Sequence, residues 1–590
     1  MTTLNRSTTI GGAIFDGRSS SERHAMISPT GRPISYAQAN ASVQQLSQAL
    51  SAAGIGERDR IATLQPRGAA GMIAFLAAST VGCCCPMNPS MRAEEYEAYC
   101  RMLKISAVLD GTSSAIAVET AAKLGLPLIS FTDNDGEMSV SVSRPRTRTR
   151  KHEDTELPPG TTLLMQTSGT TSKPKIIPLT HQNVLSAALG IVDWFDLTPD
   201  DVCLNPMPLH HMHGLVTAGT ASLLAGSSVC CLEAFKAPSF HEALAALQPT
   251  WFTGSPTMHL ALKNFYDRGP DLVPTTRLRF FRSSSAPLPA SIIANLETLF
   301  AAPLMETYGL TETASMVCAN PLPPRQRKIG SVGVAVGAEI RIFDDGGREE
   351  PAREPGEIVI RGPSVIRRYL GNNEANKILF HDDWLRTGDI GYLDEDGYLF
   401  IVGRSKELIK RGGLSVYPDE VDNALIAHPS VAESASFSVP HPTLGEELVS
   451  AIVPVAGQTP HEHDLRTYLA SQLSTYKVPA AILIVPYLPK NEAGKIMRRE
   501  VPAHFQSAFE PRNQPPTNEL EQTLLELWRT ALVRTDFGVD DNVLLLGADP
   551  IRSGELAEQL YARTMLRLSV KDILANPNVR SMASHLSQTG

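Results

Sequence analysis

"LLMQTSGTTSKPKIIPLTHQNV", residues 163–184, runs from one apolar segment through six small residues into a second apolar segment. Those six residues, 167–172, combine glycine with hydroxyl groups, and Lys173 and Lys175 follow them. Glycine lets the backbone approach an anion closely, N–H and hydroxyl groups donate hydrogen bonds to it, and lysines balance its charge. The segment therefore predicts a phosphate-binding loop between two strands. The alternative is a solvent-exposed turn, because the spacing is not that of the GxxxxGK[ST] loop.

The composition is typical of a globular protein with several domains. A chain of 590 residues is too long for one hydrophobic core, so two to four domains are expected. Hydrophobic residues make up 42% of the chain and charged residues 19%, which are ordinary proportions. The net charge of −9 gives no reason to expect a nucleic-acid partner.

The cysteines and the apolar stretches indicate the cellular compartment of the protein. The eight cysteines show no CxxC spacing and lie mostly in apolar runs, which predicts buried free thiols in a reducing compartment. The uncharged stretches Gly68–Met91 and Gly214–Leu232 are rich in small residues, so each predicts a buried helix followed by a buried strand instead of a membrane span. The first residues lack the order of a signal peptide. We expect a soluble, cytoplasmic protein with no membrane partner.

Helical patterns alternate with short β-branched runs past residue 300, which predicts an α/β fold with mostly parallel sheets. Between Gly330 and Tyr398, short strands and glycine turns predict a small β-rich layer. We expect four parts: a large N-terminal core with layered sheets, 1–403; a small mobile C-terminal α/β domain, 404–503; a linker, 504–518; and an all-α helical bundle, 519–590.

Later segments offer the remaining parts of a nucleotide site. "METYGLTETA", residues 305–314, provides Tyr308 to stack on a base and Glu312 to bind Mg²⁺. "WLRTGDIGYL" puts Asp389 on a turn, where a carboxylate can bind both ribose hydroxyls. "GRSKELIKRGG" adds Arg404, and "PKNEAGKIMRRE" adds Lys495 after a turn. Singly, each has a structural alternative: a core tyrosine, a helix-end charge, a turn residue or a solvated lysine. Their order along the chain favours the nucleotide site.

That order resembles the adenylate-forming ligase superfamily, which comprises acyl-CoA synthetases, adenylation domains of nonribosomal peptide synthetases and beetle luciferases. The resemblance covers roughly residues 10–503 and rests on several independent motifs. "TSGTTSKPK" matches the family's phosphate loop, although Ser172 and Ile176 stand where glycines are common. Ser172 is a mild change and Ile176 follows the loop, so ATP binding is still expected. The resemblance implies an AMP-forming acid–thiol ligase that uses ATP and Mg²⁺.

The resemblance also assigns roles by motif. Glu312 binds Mg²⁺, and Asp389 with Arg404 holds the ribose. Lys495 reaches the α-phosphate and the acyl carboxylate, so it is a catalytic residue together with Glu312 and His211. The remaining nucleotide-binding residues are Thr167, Ser168, Gly169, Thr170, Thr171 and Lys175 around the β- and γ-phosphates, and Ser285, Ala286, Pro287, Tyr308 and Thr311 beside the adenosine.

The implied reaction has two steps. The carboxylate attacks the α-phosphorus and pyrophosphate leaves, which requires positioning and charge neutralisation more than a proton-transfer residue. The acyl group then passes from AMP to an acceptor, usually a thiol. In the family, the small domain swings about a hinge, here Lys406, which withdraws Lys495 and presents "IKRGGLSVYPDEVD" to the acceptor. That segment resembles acyl-CoA synthetases more than peptide-synthetase adenylation domains.

The acid pocket is indicated by "MPLHHMHGL", whose His211 matches the histidine that gates the pocket in the family. Domains for α-amino acids carry an aspartate just after it, whereas this chain has Met212, so an acid without an α-amino group is favoured. "FFRSSSAPLP" adds Arg282, Ser283 and Ser284, which indicate a small or polar acid, as in oxalyl-CoA-synthetase-like members. A zinc site at the neighbouring histidines is disfavoured, because their spacing does not share one helix face.

The C-terminal segment resembles an acyl or peptidyl carrier domain, with a chance match by a helical bundle as the alternative. Carriers hold their phosphopantetheine arm on a serine in a Leu-Gly-Gly-Asp-Ser pattern, and here "LGADPI" places Pro550 at that position. Proline has no hydroxyl, and Ser553 lies about one helical turn away. We therefore predict that the domain carries no phosphopantetheine.

Three classes of function compete. The first is a ligase, which we expect to act in secondary metabolism and which transfers the acyl group to CoA, to a phosphopantetheinylated carrier in trans, or to an amine. The second is a self-loading adenylation–carrier didomain, which Pro550 opposes. The third is a non-catalytic interaction protein with a ligase fold, which the complete set of motifs opposes. Neither the acid nor the acceptor can be identified from the sequence.

Overall fold

The computed structural model describes residues 8–28, 33–64, 68–134, 137–143, 157–166, 175–269, 272–491 and 495–589. Internal contacts divide the chain into two compact units. The first comprises Met1–Thr387 with Gly391–Ile401, and the second comprises Gly388–Ile390 with Val402–Gly590. Two segments of the expected site, 167–174 and 492–494, lie outside the described residues.

The strands from β1 to β21 form three sheets. They are β1 (His24–Ile27), β2 (Pro33–Ser35), β3 (Arg60–Leu64), β4 (Cys83–Met87), β5 (Ala107–Asp110), β6 (Leu128–Asn134), β7 (Glu137–Ser143), β8 (Thr161–Gln166), β9 (Ile176–Thr180), β10 (Val202–Asn205), β11 (Ser228–Cys231), β12 (Trp251–Gly254), β13 (Phe280–Ser283), β14 (Leu304–Leu310), β15 (Ser315–Ala319), β16 (Val334–Ala335), β17 (Glu339–Phe343), β18 (Gly356–Arg361), β19 (Phe380–His381), β20 (Trp384–Leu393) and β21 (Leu399–Arg404).

Two of these sheets have parallel centres and antiparallel edges. The seven-stranded sheet has the order β7-β6-β5-β3-β4-β8-β9, and its five central strands run parallel. The nine-stranded sheet has the order β16-β15-β14-β13-β12-β10-β11-β1-β2, parallel from β14 to β1. The third sheet, β17-β18-β20-β19 with β21 beside β20, is the expected β-rich layer. The predicted α/β class with mostly parallel sheets is confirmed.

Helices cover the two large sheets. They are α1 (Ile10–Phe15), α2 (Tyr36–Ala52), α3 (Ala69–Val81), α4 (Ala93–Met102), α5 (Ala115–Leu124), α6 (His181–Trp194), α7 (Ala221–Leu224), α8 (Ala237–Leu247), α9 (Pro256–Asp267), α10 (Ala290–Phe300) and α11 (Asn373–Lys377).

Both uncharged stretches are core elements. The first contains α3 and β4, and the second contains a π-helical segment, His213–Thr220, followed by α7 and β11. They pack into the main apolar cluster because their small residues let helix and sheet approach closely. None of the helices in the described ranges is long and apolar enough to cross a membrane. All eight cysteines are buried and free.

The second unit contains a small α/β domain and a helical domain. Its elements are β22 (Ile409–Arg411), β23 (Leu414–Val416), α12 (Pro418–Ile426), β24 (Val431–His441), β25 (Gly445–Pro454), α13 (Glu462–Gln472), β26 (Ala481–Ile484), α14 (Val501–His504), α15 (Glu519–Leu532), α16 (Pro550–Thr564), α17 (Val570–Ala575) and α18 (Val579–Thr589). The sheet has the order β23-β22-β25-β24, with β26 parallel to β25.

The C-terminal helical domain, residues 519–589, is all-α, as the sequence predicts. Its helices enclose an apolar cluster centred on Trp528, Leu556 and Met582. Asn518 and Asp549 cap α15 and α16 by accepting hydrogen bonds from backbone N–H groups of the first turn, which is the usual signal for a helix start. The domain thus has its own core and its own capping residues.

Candidate active site

Strand β14 and the turn after it carry the tyrosine and the carboxylate of the predicted nucleotide site. Tyr308 lies near its end and is buried, and a 3₁₀ turn, Thr311–Thr313, then carries Glu312. Between them, Gly309 lies so close to β15 that a Cβ there would be 1.8 Å from the carbonyl oxygen of Ser315. Only glycine fits at that point, so the sequence "YGLTE" can form this tight connection between antiparallel strands.

Glu312 is linked to Lys175, the last lysine of the predicted phosphate loop, through Tyr369. The Tyr369 hydroxyl donates to Glu312 Oε1 at 2.8 Å and accepts from Lys175 Nζ at 3.3 Å. Lys175 Nζ also lies over the Tyr369 ring, 4.4 Å from its centroid. Burial and the charge of Glu312 raise the pKa of Tyr369, so its hydroxyl stays protonated and remains a donor.

Tyr369 is a site residue that the sequence analysis missed. It sits beside Leu370, whose backbone N–H donates to Ile176 O at 2.9 Å, which ties this segment to the first residue of β9. No motif marks Tyr369, because its two partners lie 194 and 57 residues away along the chain. A buried tyrosine that contacts both a phosphate-loop lysine and a carboxylate is visible only in three dimensions.

The serine segment after β13 lies beside the strand that carries Tyr308. Ser284 Oγ donates to the carbonyl of Thr307, one residue before Tyr308, at 3.2 Å. Ser285 follows with a φ of 87°, in the left-handed region that costs a non-glycine residue free energy. The resemblance places adenine between Ser285–Pro287 and Tyr308, and this backbone geometry brings the two segments together.

A buried arginine lies at the end of β13, on the side of the predicted acid pocket. The Arg282 side chain donates from Nη1 to Thr253 Oγ1 at 2.9 Å and from Nη2 to Thr307 Oγ1 at 2.7 Å. Only 2% of Arg282 is exposed, and burial lowers its pKa to about 9, so it is still charged at neutral pH. Within the described ranges no carboxylate forms an ion pair with it. A buried cation without a counter-ion is costly, so the site favours an anion.

The hydroxyl of Thr253 connects Arg282 to a histidine. Because a guanidinium can only donate, Thr253 Oγ1 accepts from Arg282 and has its own proton left for His213 Nε2, 2.5 Å away. Burial and the charge of Arg282 lower the pKa of His213, so the ring is neutral and carries its proton on Nδ1.

Several donors around Arg282 have no protein acceptor. In the described part of the chain, the buried atoms His213 Nδ1, Arg282 Nε and Ser283 Oγ make no hydrogen bond. Buried polar groups are normally paired, and leaving one unpaired costs about 1–3 kcal/mol. Arg282 Nε and His213 Nδ1, which belong to side chains linked through Thr253, are therefore open to a bound acceptor, whereas Ser283 follows Arg282 in the strand and faces the other side of the sheet.

Met212, the neighbour of the predicted gate, is buried, and the gate residue His211 is partly buried. Burial lowers the pKa of His211, so the imidazole is neutral, and its Nε2 has no hydrogen-bond partner among the described residues. The rings of His210 and His211 lie 4.4 Å apart between centroids. In the regions that the structure covers, no group of three or more His, Cys, Asp and Glu side chains is arranged to hold a metal ion.

Three predicted residues come together in the second unit. Arg404 Nε lies 3.0 Å from Asp389 Oδ1, and Asp389 is 4% exposed. The pKa of Lys495 is lowered, mainly because burial desolvates the ammonium group and secondly because the positive charge of Arg404 is near. Lys495 and Asn491 exchange two hydrogen bonds: Lys495 N donates to Asn491 Oδ1 and Asn491 N donates to Lys495 O, both at 2.9 Å.

Arg498 is a second residue that the sequence analysis missed. It pairs with Glu407, the residue after Lys406, at 2.5 Å, and with Asp422 of α12 at 2.6 Å. Asp422 is buried, and burial raises its pKa despite the opposing charge of Arg498. Arg498 thus ties the segment that carries Lys495 to the segment that carries the predicted hinge. Its sequence context, "KIMRRE", indicates only a basic surface.

Family models match three parts of the chain. The AMP-binding enzyme model matches residues 16–370, more than half of the chain. The chain belongs to the AMP-binding enzyme family. The model for the C-terminal domain of the family matches residues 420–495, and the model for a phosphopantetheine attachment site matches residues 522–586. The chain is therefore an adenylate-forming, AMP-forming acid–thiol ligase with a carrier-like C-terminal domain, and the chance-match alternative for that domain is wrong.

The relatives are acid–CoA ligases. The oxalate–CoA ligase of Arabidopsis thaliana is 38% identical over 467 residues, 78% of this chain and 91% of that protein. The sulfoacetate–CoA ligase of Cupriavidus necator is 38% identical over 348 residues, 59% of this chain and 68% of that protein. The ATP-bound structure of MatB from Rhodopseudomonas palustris aligns with a TM-score of 0.75 and 29% identity, covering 85% of this chain and 99% of that one.

The start of α16 is the place where a carrier of this family holds its attachment serine. Pro550 is the first residue of α16, after the capping residue Asp549. Ser553, the nearest serine, is 0% exposed, and its hydroxyl is enclosed without a hydrogen-bond partner in the described ranges. A modifying enzyme cannot reach a hydroxyl that is enclosed in this way.

Proposed function

We propose that this AMP-binding ligase activates a small carboxylic acid whose far end is anionic, and transfers the acyl group to CoA or to a carrier supplied in trans. The observation that carries the substrate class is Arg282: a buried cation with two threonine partners, no carboxylate partner in the described part of the chain, and an unpaired Nε donor. An anionic substituent would neutralise its charge and accept from the adjoining donors. The names of the relatives, oxalate and sulfoacetate ligases, agree with such an acid.

The proposed adenylation step uses the predicted residues. Thr167–Thr171 and Lys175 bind the β- and γ-phosphates, Ser285–Pro287 and Tyr308 flank the adenine, and Thr311 lies beside them. Asp389 with Arg404 holds the ribose, and Lys495 neutralises charge at the α-phosphate. Glu312 is the residue that would hold Mg²⁺, which supplies charge neutralisation between the phosphates when bound.

The proposed pocket for the carboxylic acid is lined by His211, Met212, Ser283 and Ser284. Met212 offers no charge to an ammonium group, so α-amino acids are disfavoured as substrates. The absence of a hydroxyl at Pro550, with the burial of Ser553, argues against a self-loading didomain. Transfer to an amine remains a second possible outcome for the acceptor step. Eight free, buried thiols suit a reducing cytoplasm.

The test is pyrophosphate release with a panel of acids matched in size. We expect oxalate, malonate and sulfoacetate to exceed acetate, propionate, glycine and alanine in kcat/KM. Arg282→Met should remove most of the activity with the dianionic acids while keeping that with the monocarboxylates. Arg341→Met, at an exposed surface pair with Glu349, is the control. A parent enzyme that prefers monocarboxylates or α-amino acids would contradict the proposed substrate class.

A further inference from the structure

The helical domain touches the small α/β domain at the point where a carrier would hold its arm. The connection between β24 and β25, residues 441–445, is here called the docking turn. His441 Nε2 donates to Leu544 O at 3.0 Å, and Thr443 Oγ1 donates to Asp549 Oδ2 at 3.0 Å. Gly547 packs so closely that a Cβ there would lie 3.3 Å from Pro442 Cγ. The docking turn therefore packs against the loop that leads directly into α16.

The hydrogen bonds of His441 fix its tautomer. Its Nε2 must carry the proton, because the Leu544 carbonyl can only accept. Its Nδ1 then accepts from the backbone N–H groups of Thr443, at 3.3 Å, and Leu444, at 3.1 Å. His441 is buried, so these bonds are shielded from water. One imidazole thus shapes the docking turn and attaches it to the helical domain.

A second set of contacts lies beside β26. Asn542 Nδ2 donates to Ala480 O at 2.8 Å. Arg466 of α13 donates from Nη1 to the same carbonyl and from Nη2 to Leu574 O in α17. Ala480 also belongs to the apolar cluster of the helical domain, and Leu545 packs against the clusters of both domains. The two domains therefore share apolar core as well as hydrogen bonds.

The segment between the domains, predicted as a linker at 504–518, is held at both ends. Phe505 and Phe509 pack against the apolar cluster of the small domain, and Phe509 makes an edge contact with Phe437 at 6.1 Å between ring centroids. On the other side, the backbone N–H of Arg512 donates to Asp541 at 2.7 Å. Gln514 O accepts from Val539 N at 2.9 Å. A segment held in this way has too few unattached residues to let the helical domain move away from the small domain.

We propose that the helical domain is a fixed part of the small α/β domain and does not carry acyl groups between sites. The small domain contributes the docking turn, Arg466 and Ala480 to the contact surface. The helical domain contributes residues 541–549 and Leu574. A shuttling carrier needs an attachment point, an accessible surface around it and a slack linker. Here proline replaces the attachment serine, the docking turn holds the loop before it although Pro550 and Ile551 stay exposed, and the linker is held on both sides.

The test is the distance distribution between two spin labels in the full-length protein. Val455 of the small domain is 37% exposed and Val533 of the helical domain is 88% exposed, so Val455→Cys with Val533→Cys places one label on each. The eight native cysteines are buried and should not react. Double electron–electron resonance should give a single narrow distance that stays the same with ATP, acid and CoA. Several distances, or a shift when the acceptor is added, would overturn the proposal.

A matched pair of variants tests which contacts hold the domain. His441→Ala with Thr443→Ala and Asn542→Ala removes three of the bonds that join the two domains, and we expect the distance distribution to broaden. Ser471→Ala with Thr523→Ala is the control, because the hydrogen bonds of each hydroxyl stay within its own helix, and it should leave the distribution narrow. A distribution that stays narrow in the first variant would overturn the assigned contact surface.

Discussion

The Tyr369 hydroxyl donates to Glu312 Oε1 over 2.8 Å, so the proposed magnesium ligand is held by a neutral neighbour. The same hydroxyl accepts from Lys175 Nζ at 3.3 Å. A tyrosine hydroxyl has one proton, which it donates to Glu312, so it can only accept from Lys175. The two hydrogen bonds therefore run from Lys175 to Tyr369 and from Tyr369 to Glu312. Tyr369 thus keeps an anion and a cation of the first unit apart, each in a fixed position.

Tyr369→Phe should weaken the use of ATP and magnesium and leave the acid site alone. The ring still faces Lys175, but Glu312 loses the donor that orients it. A hydrogen bond to a charged group contributes about 1.5–3 kcal/mol, so we expect about a 10- to 100-fold loss of kcat/KM for ATP. The measurements are the KM values for ATP and acid and the Mg²⁺ concentration at half-maximal rate. Tyr392→Phe, in a stacked pair with Phe400, is the control. An unchanged Mg²⁺ requirement would contradict this role.

Lys495→Ala should nearly abolish acyl-AMP formation while the protein stays folded. Loss of one positioned charge contact commonly costs on the order of 10²–10³ in rate. The readouts are pyrophosphate exchange and circular dichroism. Near-normal exchange in this variant would remove Lys495 from the catalytic residues.

The lowered pKa of Lys495 gives a pH prediction. An ammonium is charged below its pKa, so a lowered pKa moves the loss of charge to lower pH than in a free lysine. The adenylation rate should therefore fall on the alkaline side before free lysine would titrate. Lys495→Arg, slower but permanently charged, should move that fall to higher pH. Identical pH profiles for the two proteins would mean that another group causes it.

Lys406→Pro should spare adenylation and impair thioester formation. Lys406 is exposed in the 3₁₀ turn Ser405–Glu407, and proline fixes the φ angle that a hinge must change. Lys406→Ala removes the charge but leaves the backbone free, so it should keep both half-reactions. Pyrophosphate exchange and CoA-thioester formation are measured separately. Equal losses in both half-reactions of the proline variant would place the hinge elsewhere.

The unaltered chain should gain no mass from CoA and a broad phosphopantetheinyl transferase, because Pro550 has no hydroxyl. Pro550→Ser supplies one, but Asp549 beside it is bonded to Thr443 of the docking turn. We expect slow modification of that variant and faster modification when Thr443→Ala is added. Intact-mass spectrometry checks each step. A mass of one phosphopantetheine on the unaltered chain would restore the self-loading didomain.

The sequence predicts elements whose residues are close along the chain and misses those that only the fold brings together. The strand–turn order around Tyr308 and Glu312 follows from ten consecutive residues, 305–314. The partners of Arg282, by contrast, come from Thr253 and Thr307, 29 and 25 residues away on two neighbouring strands. Threonine in a strand is too common to indicate a contact with a buried guanidinium, so this set cannot be predicted.

The docking of the helical domain could not be predicted for a different reason. Its acceptors include the backbone carbonyls of Leu544, Ala480 and Leu574, and a carbonyl is present at every residue. Residues 504–518 are polar and rich in proline, which predicts a linker. Phe505 and Phe509, within that segment, pack instead against the small domain, since removing an aromatic ring from water is favourable.

The unpaired donors around Arg282 have a free-energy cost in the enzyme without its acid, about 1–3 kcal/mol for each buried donor. A charge that is buried for a substrate is a burden on folding until the substrate arrives, and the acid then acts as a folding partner by mass action. Arg282→Met leaves Thr253 and Thr307 without the guanidinium donor but removes a buried charge, which costs more than an unfilled hydroxyl lone pair, so we expect this variant to melt at a higher temperature than the parent while losing the proposed specificity. Recognition of the acid and thermal stability therefore make opposite demands on this residue.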